Sequence, residues 1–148
     1  CSQGQIKNYL GRISKPLLDR IDIFTETIIL KYGEISNSDK GENSYNVRKR
    51  IEKVHHIQKE RYKNDGILFN SELSAGIIKR YCVMDNEAKE YLENIFENME
   101  FSARAYHKVL KTARTIADMD ESGEIKRKHI SEAVCYRTAD KKYWGVTM

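Results

Sequence analysis

The chain has 148 residues, 40% apolar and 32% charged, with a net charge of +4. That length and composition suit one compact domain, or a small domain with an appendage, under a very polar surface. No apolar run approaches the roughly 20 residues that cross a bilayer, and no basic-then-apolar secretory leader is recognisable, so no membrane partner is expected.

One proline and eight glycines favour helix over turns. Residues 5–20 read as irregular or briefly helical, broken at Gly11 and at Pro16, which disfavours helix at Lys15. The stretch Ile21-Asp22-Ile23-Phe24-Thr25-Glu26-Thr27-Ile28-Ile29-Leu30 is rich in β-branched residues and alternates in part, so it predicts a strand. One strand makes no sheet, and its partners are expected elsewhere. The chain starts at Cys1 rather than methionine, and it reads as a piece excised from a longer protein. Residues 33–44 are polar and glycine-containing, and they read as a linker.

Helices are expected beyond it. Residues 45–63 place Val47, Ile51, Val54 and Tyr62 on one side. Ser74 can cap a short helix bearing Ile77, Ile78 and Tyr81. Asp85, with Glu87 in the first turn, opens a helix with Ala88, Tyr91, Leu92, Ile95 and Phe96, and these acids suit the positive end of its dipole. Ser102 caps the most regular segment, with Ala103, Tyr106, Leu110, Ala113 and Ala117 at 3-4-3-4 spacing. A turn at Asp120-Glu121-Ser122-Gly123 ends it, and a last helix near 127–137 carries Ile130, Ala133 and Val134.

Charge is unevenly spread. Residues 44–63 hold seven Lys/Arg against two Glu, whereas residues 85–100 hold six acids against one Lys. The asymmetry suits steering of a polyanion, docking of a neighbouring subunit, or two solvated faces that attract one another.

Several chemistries lack their motifs. There is no GxxxxGK[ST] phosphate loop, no HExxH, no CxxC and no GxSxG. His55 and His56 point about 100° apart on a helix, which makes them poor joint ligands. No metal site is expected. Cys1, Cys82 and Cys135 are far apart and odd in number, which argues against a disulfide framework and for a reducing cytoplasm. Cys82 and Cys135 read as core residues, with nothing nearby to activate a thiol.

Opposite its apolar face, helix 102–118 carries Arg104, Lys108 and Lys111, with Arg114 at the border. This is either a solvated face or an anion-binding one, with Arg104 in the first turn where free N–H groups also favour phosphate. Arg20 lies between Asp19 and Asp22. Those acids could pair with it, or aim its guanidinium at a phosphate supplied by a neighbour.

Four runs together carry a family resemblance over roughly residues 5–137. Arg12-Ile13-Ser14-Lys15-Pro16-Leu17-Leu18-Asp19-Arg20-Ile21-Asp22-Ile23 resembles the "RISGPLLDRIDIH" segment of magnesium-chelatase-like AAA+ ATPases of the ComM (YifB) group. VRKRIEKVHHIQKERY is similar to that group's "VRxRVxxAxxxQxxRY" helix. SARAYHKVLKTARTIAD and the HISEAVCYR run resemble its "SARAYHRILKVARTIADL" and "HLxEAxxYR". Lys15 departs from the glycine of "SGP" and Phe24 from the histidine of "IDIH". Cys1 falls where the family's cysteine-rich segment ends.

The resemblance implies an all-α, helical-bundle lid over residues 45–148, and a remnant of the α/β ATPase core, with its one strand, over residues 1–32. It implies that Arg20 matches the arginine finger reaching the next subunit's ATP. Arg104 matches the sensor-2 arginine acting in its own subunit, with Lys108 beside it on the nucleotide. Arginine's fork suits phosphate oxygens, and phosphoryl transfer needs cations around the transferring group. ATP and Mg2+ are implied for the longer protein, and none is expected on this chain alone. The implied partners are further copies in a hexameric ring, and DNA, remodelled by branch migration in uptake and recombination. Two alternatives stand beside this. One is the motor subunit of a true magnesium chelatase. The other is a small helical module reading DNA through helix 102–118, which would not need the LLDRID segment.

Overall fold

The computed structural model describes residues 2–27, 29–30, 32–33, 41–99 and 101–144. It is all helical. Two short helices, α1 (Gln3–Leu10) and α2 (Lys15–Leu18), precede a bundle of α3 (Ser44–Tyr62), a 3-10 turn (Asn70–Glu72), α4 (Ala75–Tyr81), α5 (Asn86–Asn98), α6 (Ala103–Met119) and α7 (Arg127–Trp144). The expected linker at 33–44 lies largely outside the described residues.

The helix starts are built from local chemistry. Asn43 and Asp85 accept from the backbone N–H three residues on, at 2.9 and 2.8 Å. Ser102 does the same for Ala105 at 3.1 Å, each satisfying one of the donors that a helix leaves free at its start. Ser74 precedes α4 as expected but makes no side-chain cap bond. At α7 the Lys126 N–H donates to His129 Nδ1 at 2.9 Å, the return half of a capping box, and α7 runs past 137 to Trp144. Lys15 is helical despite the proline after it. Pro16 falls in the first turn of α2, where its missing N–H leaves nothing unpaired.

The end of α6 is a Schellman motif. Ser122 N–H donates to Ala117 O at 2.8 Å and Glu121 N–H to Asp118 O at 3.1 Å, with Glu121 left-handed at φ 54°. Glycine usually holds that position because a Cβ is penalised there.

Helix α6 is the hub. It packs on α7, α3, α4 and the 3-10 turn, while α5 packs on α7. Its buried Ala105, Ala113 and Ala117 are small enough to let neighbours close on Val109 and Leu110. Leu73, Ile78, Leu92, Ile125 and Ile130 are at most 2% exposed, each contributing up to about 1.5–3 kcal/mol of burial. The face expected on α3 is buried in its second half. Val54 and Tyr62 are inside, together with the polar Gln58, whereas Ile51 is 40% exposed. Cys82 is buried, and burial pushes its thiol up to about 11. Cys135, expected in the core, is exposed.

The strand expected at 21–30 does not form among the described residues of that stretch. Among the described residues the one β pairing is an isolated bridge between Met84 and Ile125. Among the described residues the β-branched stretch has no second strand to pair with, and two of its backbone groups, Ile21 O and Phe24 N–H, bond to Arg137 and Tyr136 O of α7 instead.

Candidate functional site

The cationic side of α6 borders an open groove of about 450 Å³, whose lining includes Ala75, Ala103, Arg104, His107, Lys108 and Lys111. Arg104 sits in the first turn behind the Ser102 cap and is exposed. Before the cap comes Phe101, and Tyr106 follows four residues after it. These are the two positions of a hydrophobic staple; Phe101 belongs to the core cluster and the half-buried Tyr106 packs against that cluster. Lys111 Nζ donates to Ser71 O at 2.8 Å, tying the 3-10 turn to the far side of the groove.

Lys108 is committed to the segment around Arg20. Its Nζ lies 2.7 Å from the Asp22 carboxylate and 2.5 Å from Arg20 O. Arg137 Nη1 donates to Ile21 O at 2.5 Å, its guanidinium lies 5.2 Å from the Phe24 ring centre, and Phe24 N–H donates to Tyr136 O at 2.9 Å. Leu18, 2% exposed, anchors the start of this segment. The backbone of 18–24 is therefore held to α6 and α7, while the Arg20 side chain is exposed. Asp22 pairs with Lys108 rather than Arg20, and no acid pairs with the Arg20 guanidinium among the described residues. Of the two arginines singled out in the sequence, each is on the surface with its backbone fixed. Lys108, the third, holds the segment of one against the helix of the other.

Arg114 is not part of this face. It is 1% exposed, donating through Nε to Asp118 at 3.1 Å and through its two terminal nitrogens to Gly123 O at 2.9 Å and Ser122 O at 2.5 Å. Asp118, equally buried, also accepts from both terminal nitrogens of Arg61 and from Asn70 Nδ2 at 2.9 Å. Asn70 further donates to Thr115 Oγ1 at 2.9 Å, accepts from the Tyr62 hydroxyl at 2.5 Å, and its N–H donates to Gln58 Oε1 at 3.1 Å. Burial works against the Arg61 charge, but hydrogen bonding and attraction from Asp118 outweigh it and raise its pKa. This network joins α3, the 3-10 turn and α6. A visible signal was polar residues on otherwise apolar faces, with Arg114 and Asp118 four apart on one helix side.

The exposed cations can accept an anion with several oxygens, such as a phosphate chain. They do not wrap it, because the chain has no phosphate loop to supply backbone N–H groups. No group of three or more His, Cys, Asp or Glu gathers among the described residues. Cys1 lies outside the described residues.

A family model described as "Magnesium chelatase, subunit ChlI C-terminal" matches residues 41–137, and one described as "Magnesium chelatase, subunit ChlI" matches residues 1–35. The chain belongs to the magnesium-chelatase-like family. Competence protein ComM of Haemophilus influenzae is 39% identical over 92% of the chain, and YifB of Salmonella typhimurium 37% identical over 95%. A Mycobacterium bovis protein, Mb2921c, is 29% identical over 80% of it. The chain spans about a quarter of the length of these relatives, 24–27%. Its helical bundle agrees with the C-terminal lid domain of magnesium-chelatase-like proteins. The structure divides the residues that carry the family likeness into two sets. Gln58, Arg61, Tyr62, Arg114 and Asp118 hold the bundle from inside, while Arg20 and Arg104 face outward.

Proposed function

We propose that this chain supplies the arginines that complete an ATP-hydrolysing site in a ring-forming AAA+ motor of the cytoplasm, and that the motor remodels DNA. The observation that carries this reading is the pair of exposed arginines on fixed backbones. Arg104 stands at the mouth of a lysine- and histidine-bearing groove, and Arg20 is on a segment clamped to the same helix by Lys108. Residues 1–32 act as the finger-bearing end of the ATPase core and the helices after residue 44 as the lid. DNA as the substrate follows from the resemblance to the ComM group, one of whose members is named a competence protein.

In this division of labour Arg104 serves the nucleotide of its own subunit and Arg20 reaches the nucleotide of the next. Lys108 acts on the nucleotide indirectly, as a positioning residue for the Arg20 segment, since two of its three donors are already engaged. The clamp favours one second reading. Because Lys108 sits one turn from Arg104 and holds the Arg20 backbone, both arginines lie on one piece of the molecule and could serve a single nucleotide held by the neighbour.

Either form is tested in the longer protein that carries the phosphate loop. Arg20→Ala should lower ATP hydrolysis by about 10³–10⁵-fold, the range for an arginine finger, with ATP affinity nearly unchanged. An Arg20→Ala protein that hydrolyses ATP at the parental rate would refute the finger.

A further inference from the structure

Helix α7 carries a charged residue where its buried stripe asks for an apolar one. Ile130, Ala133 and Val134 belong to the core, and the next position at that spacing is Arg137, 3% exposed. Residues three and four apart share a helix face, so the arginine starts on the inward side. A buried charge is costly unless its donors find partners. Here Nη1 donates to Ile21 O at 2.5 Å. The guanidinium also lies 5.2 Å from the centre of the half-buried Phe24 ring, within cation–π range.

Both contacts go to the segment that carries Arg20. Its backbone is closed into a turn, with Arg20 N–H donating to Leu17 O at 3.0 Å and Ile21 N–H to Leu18 O at 3.1 Å. Arg20 therefore lies between two anchors, the buried Leu18 before it and Ile21 after it. Phe24 N–H on Tyr136 O, at 2.9 Å, holds the far end. Lys108 reaches the same segment from α6, but the Asp22 side chain it pairs with is 71% exposed, and water and salt weaken such a pair. The Arg137 bond has an ionised donor that is out of water, and both features strengthen a hydrogen bond. Of the two cations on the segment, Arg137 is the firmer brace.

We infer that Arg137 is a positioning residue for the arginine finger: by holding Ile21 O and the Phe24 ring, it fixes the backbone one residue beyond Arg20 and presents that guanidinium in one place. The role rests on the reading of Arg20 as a finger. It adds a residue of α7, 117 positions along the chain from Arg20, that acts on hydrolysis without touching the nucleotide. Small misplacements of a group that must meet a transition state are expensive in rate, so a finger on a loosened backbone loses most of its effect even though its side chain is intact.

Two measurements test it, one on each side of that dependence. In the 148-residue chain, hydrogen exchange reads the brace directly. Arg137→Ala should speed exchange of the Phe24 amide at least about tenfold, while the Val109 and Leu110 amides of α6 keep their protection. Unchanged exchange at Phe24 would overturn the brace, and protection lost throughout α6 would show that Arg137 holds the bundle instead. In the longer protein, Arg137→Ala should lower kcat for ATP hydrolysis by about 10²-fold with the KM for ATP near its parental value. The Arg20→Ala/Arg137→Ala protein should be no slower than Arg20→Ala alone, because a residue that acts through another adds nothing once that one is gone. Losses that multiply would overturn the inference, since a merely structural residue would damage the enzyme independently of Arg20. A slow Arg20→Ala beside a parental Arg137→Ala would sink the positioning role alone. Arg20→Ala at the parental rate would sink the finger, and this role with it.

Discussion

Asp118 gathers two arginines and an asparagine around one carboxylate that is itself 1% exposed. Removing it would leave the buried Arg114 and the partly buried Arg61 without their shared counterion. Breaking a buried ion pair on one side typically costs about 3–5 kcal/mol. Asp118→Ala is therefore expected to lower unfolding free energy by that amount in urea titration, and a cost under about 1 kcal/mol would show that the network does not hold the bundle. That Arg20 and Arg104 lie on the surface agrees with the outward-facing reading of the sequence, while their roles rest on the family motifs that contain them. The placement of Arg114 was not legible. At the border of the helical wheel it could face either way, and the deciding partners, Ser122 O and Gly123 O, are presented only once the turn after α6 has folded back over it.

Among elements, the helices of the bundle were legible from apolar spacing and from Asp85 and Ser102, whose side chains do cap. The strand at 21–30 was misread because β-branched alternation reports an extended backbone, not the presence of a partner strand. Here Lys108, Arg137 and Tyr136 O take the place of a ladder. The turn after α6 carries its own prediction. Glu121 occupies the left-handed position with φ 54°, a conformation that costs a side chain about 1–2 kcal/mol. The exposed Glu121–Lys53 pair at 2.6 Å returns less than about 1 kcal/mol. Glu121→Gly should leave the fold intact and raise unfolding free energy by about 0.5–1 kcal/mol. Thermal unfolding that moves down instead would mean that the ion pair outweighs the backbone strain.

Across the molecule, the bundle presents an arginine-bearing side, while its basic helix α3 lies on α6 and its acidic helix α5 on α7. Sequence order alone revealed the charge asymmetry. It could not tell whether the two faces pair within the chain, because that depends on which helices α6 and α7 hold apart. Where each arginine acts is decided by subunit mixing in the longer protein. A subunit lacking its phosphate loop but keeping both arginines is combined with an Arg20→Ala subunit, and separately with an Arg104→Ala subunit, and ATP hydrolysis is measured. With the finger acting in trans, the Arg20→Ala mixture should regain hydrolysis, since an intact finger on the dead subunit serves the competent pocket beside it, while the Arg104→Ala mixture stays silent. Recovery in both mixtures would place both arginines on the neighbour's nucleotide, and silence in the Arg20→Ala mixture would contradict the finger in trans.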